Sequence, residues 1–292
     1  MSRSPEPSPA PLRVVEIGDE RYPARLLDLP RPPRRLWWSG ELDLLNDVVV
    51  AVVGTRRATH YGRRMTAEIC GALARAGATV VSGMALGIDA AAHRAVLDAD
   101  GATVAVLGTG ADVAYPRAHV ALHHEVARRG AVVSEMPPGA RSHRGSFPER
   151  NRIIAALASV TIVIEAPFKS GALITARIAL ELGREVAVVP GPIDSPQSQG
   201  SNAWLRDGAH PIVAVADALT LVGLAPPPVP SAPRFESESE VRIWRALDEG
   251  SATMDELCTR TGLPVTQCLT TVTALELRGL IECALTGEIR RF

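Results

Sequence analysis

Seven short apolar runs, most of them followed by a helix-length stretch, constrain this chain more than any other feature. They read DVVVAVVG (47–54), ATVVSG (78–83), ATVAVLG (102–108), AVVSE (131–135), VTIVIEA (160–166), EVAVVP (185–190) and PIVAV (211–215). A strand that is apolar at nearly every position is covered on both faces, whereas a half-exposed strand alternates. Buried strands alternating with helices predict an α/β fold, a Rossmann-like, doubly wound, mostly parallel sheet. In such sheets ligands sit outside the carboxyl ends of the strands. The chemistry is therefore sought in the loops that follow these runs.

Composition narrows the ligand. The chain has 292 residues and is 46% apolar, enough for a sizeable core. Its formal net charge is -1, so no global basic field draws in a polyanion and any anion site must be local. Nearly all the positive charge is arginine, and Lys169 is the only lysine. The four cysteines (Cys70, Cys258, Cys268, Cys283) form no Cys-x-x-Cys pair, with Cys70 and Cys268 at helix-core positions. That pattern suits a reducing, cytoplasmic location. MSRSPEPSPAP has no apolar stretch for a signal peptide, and no apolar run reaches the length of a membrane span.

Four segments follow. Residues 1–45 form an N-terminal extension, with 1–11 disordered and 12–45 irregular, where Trp37 and Trp38 clamp the segment onto the next domain. Residues 46–222 form the Rossmann-like domain. GLAPPPVPSAP opens a proline-rich linker over 223–234. Residues 235–292 read as three helices and a hairpin around Thr286-Gly287, a small C-terminal winged helix.

Five motifs stand at strand ends. Gly54-Thr55-Arg56-Arg57 follows the first strand and precedes a helix, where turn amides favour an anion. Thr55 adds a hydroxyl, and Arg56 adds a fork that pairs with phosphate. The glycines and ribose-binding acid of a dinucleotide site are missing; the plain alternative is a turn with a solvated arginine pair, and Arg57 is left facing solvent. In SGMALGIDAAAH (82–93), Asp89 and His93 read as a helix cap beside a packed histidine rather than a catalytic pair. In SFPERNRIIAAL (146–157), Arg150, Asn151 and Arg152 crowd the first turns of a helix against its dipole. They either face a bound anion or form surface salt bridges, for example with Glu149. Phe168-Lys169-Ser170-Gly171 precedes another helix start, with Phe168 as a stacking face or loop packing. The long loop 189–209 ends in Ser201 and Asn202, contacts or caps. His119 and His123 have metal spacing but no third ligand. No metal, cofactor or catalytic group is expected.

GTRRATHYG, SGMALGIDAAAH, FPERNRII, SGALITA and VPG…QGSN occur in an order that resembles the DprA/Smf family, and YPARLLDLPRPPRRLWWSG looks like that family's lead-in. The resemblance covers residues 20 to 220. It implies a Rossmann-like core that binds single-stranded DNA, dimerises and loads RecA recombinase in natural transformation. It implies a DNA pocket of Arg56 and Lys169 with Thr55, Ser170, Gly171 and Asn202, and a basic stretch at Arg150 and Arg152; Gly54, Asn151 and Phe168 are expected beside them from the motifs in which they stand. Many relatives have Gly-Ser-Arg where Gly54-Thr55-Arg56 stands, and Gly-Cys-Asn where Gly200-Ser201-Asn202 stands. Some carry a helical domain before the core, for which about 45 residues leave no room. Two other classes stay open: a nucleotide-processing enzyme of related fold, whose Pro-Gly-Gly-x-Gly-Thr-x-x-Glu motif is absent here, and a winged-helix regulator. Against the second, Val265–Leu277 carries no Lys or Arg, which favours a protein-contact or accessory role.

Overall fold

The computed structural model describes residues 11–143, 145–225, 235–248, 250–284 and 287–291. The segment 1–11 lies outside the described residues up to residue 10, and the linker 223–234 does so from residue 226 onward. The chain divides into two compact units, Met1–Pro227 and Pro228–Phe292.

The first unit holds a nine-stranded sheet. Its strands are β1 (Arg13–Glu16), β2 (Arg35–Gly40), β3 (Val49–Val53), β4 (Thr79–Ser82), β5 (Thr103–Leu107), β6 (Ala131–Ser134), β7 (Val160–Val163), β8 (Glu185–Val188) and β9 (His210–Pro211). They lie in the order β1-β2-β6-β5-β4-β3-β7-β8-β9, parallel from β6 to β9. The chain winds from β3 outward to β6 on one side, then returns to place β7 on the other flank of β3. Between β3 and β7 the winding reverses, and the loops after both strands splay apart.

Helices cover both faces. Val50 and Val52 of β3 face a layer of α1 (His60–Arg75), α2 (Ile88–Asp98) and α7 (Val215–Leu221), which α3 (Val120–Arg129) extends past β5 and β6. Val49, Ala51 and Val53 face α4 (Ser146–Leu157) and α5 (Gly171–Glu181), together with the N-terminal segment. A further helix, α6 (Gln199–Arg206), closes the return to β9.

Two expectations fail. The stretch 12–45 is not irregular: β1 pairs antiparallel with β2, and β2 pairs antiparallel with β6. Trp37 and Trp38 therefore do not clamp one domain onto another. They point to opposite faces of the sheet, Trp38 into the core with Leu26 and Leu36, Trp37 towards the α2–α3 side. Prolines on either side of these short strands hide them in the sequence. PIVAV is a strand only at its first residue, because Asp217 accepts from Val213 N and Ala214 N and starts α7 at Val215.

The second unit contains α8 (Glu238–Ala246), α9 (Met254–Thr261), α10 (Val265–Leu277) and an antiparallel pair, β10 (Ile281–Cys283) and β11 (Ile289–Arg291). Ile243, Leu257, Cys268, Leu275, Ile281 and Ile289 form its core. Thr253 and Glu256 make a reciprocal cap at the start of α9. This is a winged helix.

His93 is packed, not catalytic. Its Nδ1 lies 2.7 Å from the Thr103 hydroxyl, which itself donates to Val80 O. Thr103 therefore accepts from His93 Nδ1–H, leaving Nε2 buried and unpartnered. Burial, then the charges of Arg150, His119 and Arg94, push the imidazole pKa down to about 3. With the folded value below the unfolded one, its contribution to stability is complete above pH 6.5 and lost as pH falls towards 3. His93→Gln should flatten the stability–pH curve in that window by up to one proton, roughly 1.4 kcal/mol per pH unit, in urea titrations across pH.

Candidate nucleic-acid interface

The splayed loops after β3 and β7 border a cleft of about 430 Å³. Gly54, Thr55, Arg56 and Arg57 form one wall, Asn151 and Arg150 the second, Lys169, Ser170, Gly171 and Thr175 the third. Each wall comes from a different strand-end motif.

The first wall is fixed by its own polar groups. Thr55 N donates to Glu165 O at 2.7 Å, and Ile88 N donates to Thr55 O. The Thr55 hydroxyl donates to Gln197 Oε1 at 3.0 Å and accepts from Arg57 N at 3.1 Å. Glu165, buried beneath, accepts from Thr59 N and Thr59 Oγ1, so α1 starts at a set position. Gly87 adopts φ +82°, and a Cβ there would overlap Thr55 O. Its backbone can thus press against the loop. With the loop backbone held, the Arg56 and Arg57 side chains extend into solvent. The Arg56 guanidinium lies over the Phe147 ring, 5.2 Å from its centroid, and Tyr115 tilts against the same ring at 5.3 Å.

The second wall corrects the expectation that Arg150, Asn151 and Arg152 all face an anion. Arg150 is buried. It donates to Gly83 O at 2.6 Å, to Val106 O, and through Nε to Asn151 Oδ1 at 3.2 Å. Gly83 carries no Cβ because one there would overlap this guanidinium. Burial lowers the Arg150 pKa, against the pull of Asp89, only to about 10, so the group is charged at neutral pH. Burial likewise raises the Asp89 carboxyl, opposed by Arg150 and by the amides of Ala85 and Gly83. Asp89 thus serves Arg150 and the turn before α2. Asn151 Nδ2 donates to Gly171 O at 3.1 Å, joining α4 to the start of α5. Arg152 points away from the cleft. Its guanidinium grips both oxygens of Glu135 at 2.5 and 2.7 Å and donates to Arg31 O. Its partner is Glu135, not the Glu149 considered from sequence.

In the third wall, Ser170 caps α5 by accepting from Ala172 N at 3.2 Å, and Lys169 is exposed at the rim. Besides Arg152, two expected residues stay outside the cleft. Phe168 is 65% exposed beside it, because the Pro167–Ser170 turn carries the side chain outward. Asn202 is spent on the backbone: its amide bonds Gly191 N and Gly191 O at 3.1 and 2.9 Å, fixing the loop after β8. Sequence reasoning missed Phe147 and Tyr115. An aromatic residue directly before Pro148 in a basic helix start was the available signal for Phe147.

His119 and His123 each bond a backbone carbonyl, Met84 O and Ala111 O, and among the described residues no cluster has the make-up of a metal site. Among the described residues no helix is long and apolar enough to cross a membrane.

Comparison with known proteins agrees with this architecture. The family model of DNA recombination-mediator protein A matches residues 13–223, and that of the DprA winged helix domain matches residues 225–284. The putative DNA processing protein DprA of Mycobacterium tuberculosis is 43% identical over 291 residues, covering 93% of this chain and 75% of the relative. Protein Smf of Escherichia coli is 36% identical, covering 95% and 77%. Among solved structures, DNA processing protein A of Streptococcus pneumoniae superposes with a TM-score of 0.69 at 39% identity, over 72% of this chain and 74% of that one. The Helicobacter pylori protein, described for its unique single-stranded DNA binding mode, gives 0.67 at 32% identity, over 73% and 97%.

The two arginines of this site should separate cleanly on substitution. Arg150→Met leaves two buried carbonyls and Asp89 without their cation and should cost roughly 3 kcal/mol or more. Arg56→Ala should change stability by no more than about 0.5 kcal/mol. Guanidinium unfolding of the two variants against the parent measures both.

Proposed function

The chain belongs to the DprA/Smf family, DNA recombination-mediator protein A, and from that membership we propose that it binds single-stranded DNA in the cleft between β3 and β7, as part of DNA processing in transformation. The observation that carries this reading is the separation of fixed and free charge in the cleft. Arg56, Arg57 and Lys169 stand at the rim without an ionic partner among the described residues, over a buried and charged Arg150, with Asp89 the only carboxylate among the described lining residues. A local positive site of this kind suits a phosphodiester backbone on a chain with no overall basic charge. Phe147, with Arg56 over it and Tyr115 beside it, offers a sequence-tolerant stacking surface.

Within this reading the residues divide their labour. Arg56 and Lys169 contact phosphates. Gly54, Thr55, Ser170 and Gly171 shape the two loops around them, Asn151 couples those loops through α5, and Arg150 supplies charge from below. Asn202 and Arg152 act on neighbouring loops, and Phe168 extends the stacking surface beyond the rim. The bound strand is handed to RecA recombinase, and a homodimer sets two clefts together, so that a longer strand engages both.

The enzyme alternative finds less support, since the one carboxylate in the cleft is buried and turned to Arg150 and to backbone amides. A regulator reading duplex DNA finds little in α10, whose exposed side chains include Val265, Leu269 and Leu277 at 62%, 55% and 84%. Those residues favour a protein contact for the winged helix.

Fluorescence anisotropy with labelled oligo-dT, across salt, tests the proposal. Binding should exceed that of a duplex of equal length and weaken steeply with salt. Arg56→Ala and Lys169→Ala should each lower the log–log salt slope by about 0.7. Equal affinity for duplex, or normal binding by a folded Arg56→Ala protein, would overturn the cleft assignment. Faster RecA filament assembly on single strands already coated by a single-strand-binding protein, when this chain is added, checks the loading step.

A further inference from the structure

A second basic groove lies along the carboxyl edge of the same sheet. Arg31, Arg34, Arg35 and Arg152 line it with Trp37, against two carboxylates, Glu16 and Glu135. Both carboxylates are already taken: Glu16 pairs with Arg35 at 2.7 Å and Glu135 with Arg152 at 2.5 Å. The guanidiniums of Arg31 and Arg34 are exposed, and among the described residues neither has a hydrogen-bonding or ionic partner. Their backbones are held, because Arg31 O accepts from Arg152 Nη1 and Arg34 O accepts from Ile17 N. The groove therefore presents two uncompensated cations on a fixed frame. Trp37 is half-buried, with part of its ring packed towards the α2–α3 side, and it also lines the groove.

Position gives this groove its meaning. Glu135 directly follows β6, and Arg35 lies where β2 runs past that strand's end, opposite Glu16. The groove and the β3–β7 cleft thus open on the same edge. Three strand spacings, about 14 Å, separate β3 from β6. Helix α4 stands between the two sites and serves both, with Asn151 on the cleft side and Arg152 on the groove side. Phe147 lines the cleft and Tyr115, from the loop after β5, continues the aromatic surface from it.

We propose that this arginine–tryptophan groove is a second subsite for the same single strand, taking the phosphates that leave the cleft across the ends of β4 and β5. The subsite rests on the reading of the cleft as a single-strand site. It engages only strands long enough to span both, and it adds affinity through Arg31 and Arg34 and a stacked base through Trp37.

The test compares oligo-dT of about 6 and about 15 nucleotides, within the site sizes that stacking grooves hold. In the parent protein the longer oligomer should show the steeper salt dependence. Arg31→Ala/Arg34→Ala should remove about 1.4 from its log–log salt slope, at about 0.7 per phosphate, and leave the short oligomer unchanged. The longer oligomer should also quench tryptophan emission more than the short one, and Trp37→Phe should abolish the difference. An unchanged slope for the long oligomer in the double variant would refute the subsite and leave the cleft standing. Equal losses for both lengths would refute it too, reducing the arginines to a diffuse field. Failure of the parent protein to bind either oligomer would remove the cleft reading and the subsite together.

Discussion

One buried guanidinium ties the carboxyl edge of the sheet together. Arg150 reaches from the fifth residue of α4 into the sheet, where it bonds the carbonyls of Gly83 and Val106. Those carbonyls belong to the ends of β4 and β5, and β4 is the strand beside β3. The position of α4 against the sheet, and so of Asn151 against α5, follows from these bonds. A buried ion costs desolvation, and here the offset comes from two carbonyls, the Asn151 amide oxygen and the field of Asp89. The cleft above has a cation in its floor that solvent does not screen.

Much of this is legible in the amino-acid sequence alone. Continuous apolar runs at β3 to β8 predicted a parallel sheet covered on both faces, and the winding reversal put the candidate loops side by side. Arg56 stood in the motif after β3 and Lys169 with Gly171 in the motif after β7, and the fold brought the two to one cleft. What was hidden has physical causes. β1 is a short edge strand and β2 its short inner neighbour, both near prolines, with only a weak alternation to mark them. Arg150 and Arg152 are two residues apart on one helix, so they point in different directions, and sequence spacing does not say which neighbour each will meet. Glu135, the partner of Arg152, is 17 residues away, just after β6. Asn202 reads as a contact because it sits at a helix start; its real work is holding Gly191, which nothing local announces.

The arginine-rich composition resolves into two populations. One set is spent on the fold. Arg129 binds Asp100, Glu125 and Leu97 O, and Arg184 binds Asp28. In the winged helix, Arg291 lies over Trp244 at 4.1 Å. The other set, at the strand ends, has side chains without carboxylate partners. A chain with net charge near zero can therefore carry a locally positive edge, because among the described residues only one carboxylate, Asp89, lines the cleft.

The Thr55–Gln197 hydrogen bond joins residues 142 positions apart, across the top of the sheet. With Asn202 clasping Gly191, it sews the loop after β3 to the loop after β8. Loops stitched to one another in this way have little freedom left to surrender when a ligand arrives. The rim side chains hang from that seam without forming part of it. Exchanging them retunes which polyanion is held, and how firmly, without reopening the question of how the chain folds.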